Sequence, residues 1–215
     1  MSKEDQQIMA IERDILFSDK YFQGFKPHGE HDYESLVLNQ HKIGRRGDLE
    51  NDPSHKQPIG YMVVVNSETK EVYAYQRSVK DKEYGEKRLQ GKWSWGVGGH
   101  IEPHDIGNGN PIRESMLREL NEEINIIGKI KNINVLGYIN DDSDSVGKVH
   151  FGLLYLVEVD GNASPKDKEM AQGKMLSIGE LEKICDSKEF NVENWSRIAL
   201  KPLKKYFDGF GHSGK

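Results

Sequence analysis

Three glutamates, Glu119, Glu122 and Glu123, stand at i, i+3 and i+4 in the run Arg118-Glu119-Leu120-Asn121-Glu122-Glu123. On a helix turning about 100° per residue they share one face, at roughly 0°, −60° and +40°. Leu117, Leu120 and Ile124 gather on an adjoining apolar stripe, the edge such a helix would turn to a core. Carboxylates at this spacing repel one another. A divalent cation removes that repulsion, and an all-oxygen cluster suits Mg²⁺ or Mn²⁺. Arg118 lies four residues before Glu122 and can hold that carboxylate in place. A solvated acidic helix face is the common alternative for a glutamate-rich run. The balance is tipped by the upstream segment Val97-Gly98-Gly99-His100-Ile101-Glu102-Pro103, a glycine-rich strand exit whose bare backbone can approach a ligand closely. A carbonyl there could complete a metal shell.

A helix presenting these acids starts at Asn110-Pro111, an N-cap with proline at the first helical position, and runs to about Ile124. Before it, the apolar run 61–65, the turn-like Asn66-Ser67-Glu68-Thr69-Lys70 and the alternating stretch 71–77 make a hairpin. Residues 79–92 read as a charged loop. Residues 92–97 alternate again, with Trp93, Trp95 and Val97 on one side. Beyond the helix, 133–140 and 149–159 read as strands and 178–185 and 192–207 as helices, with Pro202 kinking or dividing the last. The first sixty residues are the least legible. There, 8–17 is a strand or a short helix, 33–43 a helix, and 45–58 a polar connection. Strands on both sides of one central helix, without regular alternation, give an α+β fold built on a mixed sheet.

Composition narrows the function. At 215 residues with a net charge of −5, the chain lacks the basic excess that attracts a nucleic acid polymer. A small anionic substrate remains compatible, because bound metal reverses the local sign. No stretch approaches the roughly 20 apolar residues of a membrane span, and the polar N-terminus has no signal-type apolar run. One cysteine, Cys185, fits a reducing compartment, so a cytoplasmic location is expected.

The glutamate helix and the glycine pair together resemble the Nudix box. That box is a glycine, five residues, an acid, seven residues, then R-E-U-x-E-E-x-G-U with U aliphatic. Gly99 takes the first glycine and Arg118-Glu119-Leu120-Asn121-Glu122-Glu123-Ile124 the core. The likeness covers roughly residues 60–181. Lys56-Gln57-Pro58, Gly91-Lys92-Trp93 and the run from Trp95 to Glu102 are similar to a branch of Nudix phosphohydrolases and phosphoesterases. The resemblance implies a Nudix-like α/β/α sandwich with a mixed central sheet over residues 59–215, and an extension, residues 1–58, packed on it. That extension would cap the substrate cleft or join two copies as a homodimer.

It further implies Mg²⁺-dependent hydrolysis of a nucleoside diphosphate linked to another group, X. Glu122, Glu123 and the Gly98 carbonyl would hold the metal, with Glu119 a further ligand or the base that deprotonates water. Glu169 would be an acid supplied from a later loop, although a surface glutamate reads equally well there. Arg77, Arg88 and Lys92 would meet phosphates, and His100 would line the site. Each of these also reads as an ordinary surface or strand-end residue.

The box departs from the family pattern twice. After Gly99 and five intervening residues comes Asp105 where the family has glutamate, and twelve residues instead of seven separate it from Arg118. Counting seven back from Arg118 puts Asn110 in the acid slot, so either Asp105 serves or the position is structural. Asn125 replaces the glycine after the glutamate pair and tolerates the left-handed conformation expected at a helix end. The competing reading is a non-catalytic nucleotide sensor on a Nudix fold, disfavoured by the retention of all three glutamates. The calcium-loop-like start Asp142-Ser143-Asp144-Ser145 is set aside as a hairpin turn. Its fifth and twelfth positions, Val146 and Leu153, offer no side-chain oxygen.

Overall fold

The computed structural model describes residues 2–79, 89–107 and 109–209. In chain order the elements are β1 (Gln7–Glu12), α1 (Arg13–Phe17), β2 (Gly24–Pro27), α2 (Tyr33–Gln40), β3 (Lys42–Arg45), α3 (Arg46–Leu49) and β4 (His55–Asn66). There follow β5 (Glu71–Arg77), β6 (Trp93–Ser94), α4 (Pro111–Glu123), β7 (Ile124–Ile127), β8 (Ile130–Asn140) and β9 (His150–Val159). The chain closes with β10 (Asn162–Pro165), β11 (Met170–Ser177), α5 (Ile178–Asp186) and α6 (Asn194–Gly209). The fold is the expected α+β class. Contacts divide the chain into two units. The first comprises Met1–Tyr61, Gly98–Glu119 and Val135–Leu154, the second Met62–Val97, Leu120–Asn134 and Tyr155–Lys215.

In the first unit the strand order is β4-β9-β8-β2, and β1 pairs antiparallel with both β3 and the start of β4. Its core centres on rings from segments distant in sequence. Phe17, Phe22, Tyr33, Tyr138 and Phe151 meet edge-on, tilted or stacked at 5.0–6.3 Å between centroids. The Met9 amide donates to the Ile101 carbonyl at 2.8 Å, so β1 lies against the glycine-rich strand exit. In the second unit the order is β11-β5-β4, with β6 on β5, and β7 pairs antiparallel with β10. β4 and β9 are buried along almost their whole length. In β4 this is why 61–65 reads as a continuous apolar run and not as an alternating one.

Several expectations shift. Residues 8–17 hold both proposed forms, β1 followed by α1. Residues 45–58 are no plain connection, since they contain α3 and the first residues of strand β4. Residues 92–97 form only a two-residue strand, and Ser94 is buried along with Trp93, Trp95 and Val97, so the alternating sequence does not mark an inner and an outer face. Strands β7, β10 and β11 were not foreseen. Pro202 lies inside α6 without dividing it and is buried there. Asn125 is not in a left-handed conformation, because α4 passes directly into β7, where Asn125 pairs with Ser164.

Candidate active site

Helix α4 begins as its sequence directs. The Asn110 side-chain oxygen accepts from the amides of Ile112 (3.0 Å) and Arg113 (3.3 Å), capping two of the orphan donors of the first turn. Its Nδ2 donates to Glu34 at 3.1 Å. Asn110 therefore serves as the N-cap. Ile112, Met116 and Leu120 carry the buried stripe, whereas Leu117 is only half-buried. The stripe is thus turned from the one expected. Glu119 is 13% exposed, Glu123 half-buried and Glu122 exposed.

The glycine pair is fixed by close approach within the first unit. A Cβ on Gly99 would stand 2.2 Å from Oε1 of Glu119, and one on Gly98 would stand 2.3 Å from the Gly60 carbonyl oxygen. The Glu119 carboxylate therefore occupies the space a side chain at 99 would fill. Arg118 steadies it, donating from Nη1 to Glu119 Oε1 at 2.6 Å. The same guanidinium grips Asp105 with two hydrogen bonds, 3.2 and 3.1 Å, and reaches the His100 carbonyl at 3.1 Å. Burial works against the charge of Arg118. The hydrogen bonds from Asp105 and the charge of Glu119 outweigh it and raise the guanidinium pKa above its ordinary value.

Asp105 is 3% exposed at the end of a 3-10 turn, Pro103–Asp105, and its carboxylate also accepts from the Glu102 amide at 2.9 Å. Of the two positions left open for the first box acid, Asp105 is the one that meets Arg118. The five extra residues lie between it and the helix and leave that pairing intact.

In the second unit, the Glu123 carbonyl accepts from the amides of Lys166 (3.0 Å) and Asp167 (3.3 Å), while Lys166 Nζ binds the Asn121 carbonyl. This ties the end of α4 to the turn that carries Glu169. That turn leads into strand β11, and the Glu169 carbonyl accepts from the Ser78 amide at 2.7 Å. Arg77 is engaged by Glu193 and lies over the Tyr75 ring at 5.4 Å. Glu193 also accepts from Ser94 Oγ at 2.9 Å, and Ser94 meets Ser196 at 3.1 Å. Lys92 is half-buried, and its carbonyl accepts from the Arg77 amide at 2.9 Å. Arg88 lies outside the described residues.

His100 is not an isolated strand-end histidine. Its Nε2 is 2.7 Å from Gln57 Oε1 and 3.2 Å from His150 Nε2. Burial, together with the nearby charges of His150, Arg46 and Lys3, holds its pKa well below the usual histidine value. The residues around it, Glu50, Gln57 and His150, lie 43 to 50 positions away in sequence and share no motif with it, so no local signal could have joined them.

The NUDIX domain family matches residues 56–197, well over half of the chain. This chain belongs to the Nudix family. A curated relative, Protein YmaB of Bacillus subtilis (strain 168), is 34% identical over 213 residues, which cover 95% of this chain and all of that one. Among solved structures, Tm1382 matches with a TM-score of 0.73 at 23% identity, covering 94% of this chain and 99% of that one. The NUDIX domain of Shewanella oneidensis NrtR, in complex with ADP ribose, matches with a TM-score of 0.51 at 14% identity, covering 70% and 88%. The activity class is that of a Nudix phosphohydrolase acting on a diphosphate. No helix among the described residues is long and apolar enough to cross a membrane.

Proposed function

We propose that this Nudix protein hydrolyses the diphosphate linkage of a nucleoside diphosphate joined to another group, using Mg²⁺ or Mn²⁺ held by Glu119, Glu122 and Glu123 with the Gly98 carbonyl. The observation that carries this reading is the seating of the Glu119 carboxylate on the bare Cα of Gly99, clamped by Arg118. The donor set is all oxygen, as a hard divalent cation requires. Bound there, the cation would neutralise the diphosphate and lower the pKa of a water.

The chain's own residues do the rest. Arg118 and Asp105 fix the rotamer of Glu119, so that its carboxylate is positioned either to ligate the cation or to orient a water and accept its proton. Glu169 is the candidate for a further acid. Its support is the pair of amide bonds that ties its turn to Glu123. Lys92 and Arg88 are candidates for phosphate contacts. Arg77 would have to be shared with Glu193 to act as one. Residues 1–58 fit an extension packed on the domain, in keeping with the Met9–Ile101 bond. A reducing, cytoplasmic setting suits the single Cys185.

The deciding experiment is phosphate or nucleotide release from a panel of nucleoside diphosphate conjugates, with and without Mg²⁺. Glu122→Gln should lower metal-dependent turnover by at least about a hundredfold, since the metal is worth several kcal/mol in the transition state. Its exposed position should keep stability within about 0.5 kcal/mol of wild type. Unchanged turnover in that variant would remove the site assignment. Tight binding of one conjugate with no turnover of any would replace the hydrolase by a sensor.

A further inference from the structure

Glu50, just after α3, His100, just past the glycine pair, and His150, at the start of β9, bring their ligand atoms within 4.8 Å of one another in the first unit. None of them is an α4 acid. Glu50 Oε1 is 4.0 Å from His100 Nε2 and 3.3 Å from Nε of Arg46, which orients the carboxylate. His150 is 7% exposed, while His100 and Glu50 are 13% and 19% exposed at their side chains. The group is therefore enclosed but reachable.

The geometry of the ring nitrogens suits a cation. His150 Nδ1 lies 2.7 Å from the Val146 carbonyl, which can only accept, so Nδ1 carries the hydrogen and the neutral ring keeps its lone pair at Nε2. A backbone carbonyl fixing the tautomer in this way is the usual support of a metal-ligating histidine. That lone pair faces His100 Nε2 at 3.2 Å, and His100 Nε2 also faces Gln57 Oε1 at 2.7 Å. His100 Nε2 thus sits between His150 Nε2 and Gln57 Oε1, with the Glu50 carboxylate beside it. Gln57 is wholly buried, and its Nε2 has no hydrogen-bond partner. Turning the amide over would strand its oxygen instead. Zn–N bonds of roughly 2.0–2.1 Å in a tetrahedral shell place two nitrogens about 3.3 Å apart, close to the spacing found here.

We propose that Glu50, His100 and His150, with the Gln57 side-chain oxygen as fourth ligand, form a divalent-metal site that takes a Zn²⁺-like ion. Two imidazoles and two oxygens are a donor set for a borderline ion, in contrast to the oxygen-only set on α4. Bound there, the ion would pin the end of α3 and the start of β9 to the strand exit that carries Gly98 and Gly99. Neither the assignment nor its test depends on the hydrolase reading.

The test uses metal-stripped full-length protein carrying Glu122→Gln and Glu123→Gln, which weakens the α4 acids as ligands. Co²⁺ is titrated by its visible absorption, and Zn²⁺ by competition with a chromophoric chelator. The expected result is one tightly bound equivalent with the intense spectrum of tetrahedral Co²⁺, and a higher melting temperature in Zn²⁺. His150→Asn and Glu50→Gln, each added to that protein, should weaken Zn²⁺ binding at least tenfold. If His150→Asn does not fold, Glu50→Gln at its partly exposed position carries the same reading. Absence of a tight equivalent in the parent overturns the site, as does an affinity unchanged by Glu50→Gln.

Discussion

Asp105 owes its place to the guanidinium of Arg118. In the linear pattern it is a shortened, displaced acid ahead of a loop five residues too long. In the structure it is a buried carboxylate held by Nε and Nη2 of Arg118. At the proposed site its role would be to position, because Arg118 in turn holds Glu119. Asp105→Asn keeps the shape but removes the charge that compensates a mostly buried guanidinium, 22% exposed. We expect a loss of about 3 kcal/mol, the scale of breaking a buried pair, measured by denaturant unfolding. In the hydrolase assay kcat should fall with little change in KM, since substrate contacts are untouched. A variant as stable as wild type would show that Arg118 does not need its partner. The acids on α4 were legible because helical spacing is written in the chain itself. The partners of Arg118 and His100 were not, since each depends on segments brought together only by folding.

Among the elements, α4 and β4 set the geometry of the glycine pair. Gly60 of β4 faces Met116 of α4 so closely that a Cβ at 60 would stand 2.3 Å from Met116 Cγ. Gly60→Ala should therefore cost about 1–3 kcal/mol by overpacking. Removing the helix cap with Asn110→Ala should cost about 1 kcal/mol without moving the helix. Comparing the two by thermal unfolding and by Mg²⁺ dependence separates loss of stability from loss of position, because only Gly60→Ala should also impair turnover. Equal effects on turnover would contradict that division. The hairpin β4–β5 and helix α4 were readable from periodicity and capping. The short strands β7 and β10 were not, as four-residue segments carry too little pattern to stand apart from loops.

For the molecule as a whole, the least foreseeable feature is the charge cluster of Arg13, Lys56 and Asp142. Asp142, discounted in sequence as a turn residue, accepts from Arg13 at 2.5 Å and from Lys56 at 2.7 Å. It thereby joins the N-terminal strand region to the turn after β8. Burial opposes its charge, but Arg13 and Lys56 outweigh burial and hold its carboxyl well below the usual range. That stability is present above about pH 4 and is lost as pH falls through the depressed value. Burial pushes Lys56 the other way, down to about 8 from 10.5, with Asp142 opposing. Between those values the unfolded chain binds more protons at this position, so its contribution to stability rises with pH. Wild type should therefore gain stability relative to Lys56→Met between pH 8 and 10 in denaturant titrations, and a flat difference would refute the assignment.

The same lysine carries one more consequence. Among the described residues it is the lysine with no exposed surface, its Nζ occupied by Asp142 and by the carbonyls of Gly147 and His150. A neutral amine at mildly alkaline pH is a good nucleophile, yet no reagent can reach this one while the first unit is closed. Acylation of Lys56, followed by peptide mass spectrometry, is thus a built-in clock for opening of that unit. It should lag far behind acylation of the exposed Lys42 and Lys204, and it should quicken when Asp142 or Arg13 is replaced.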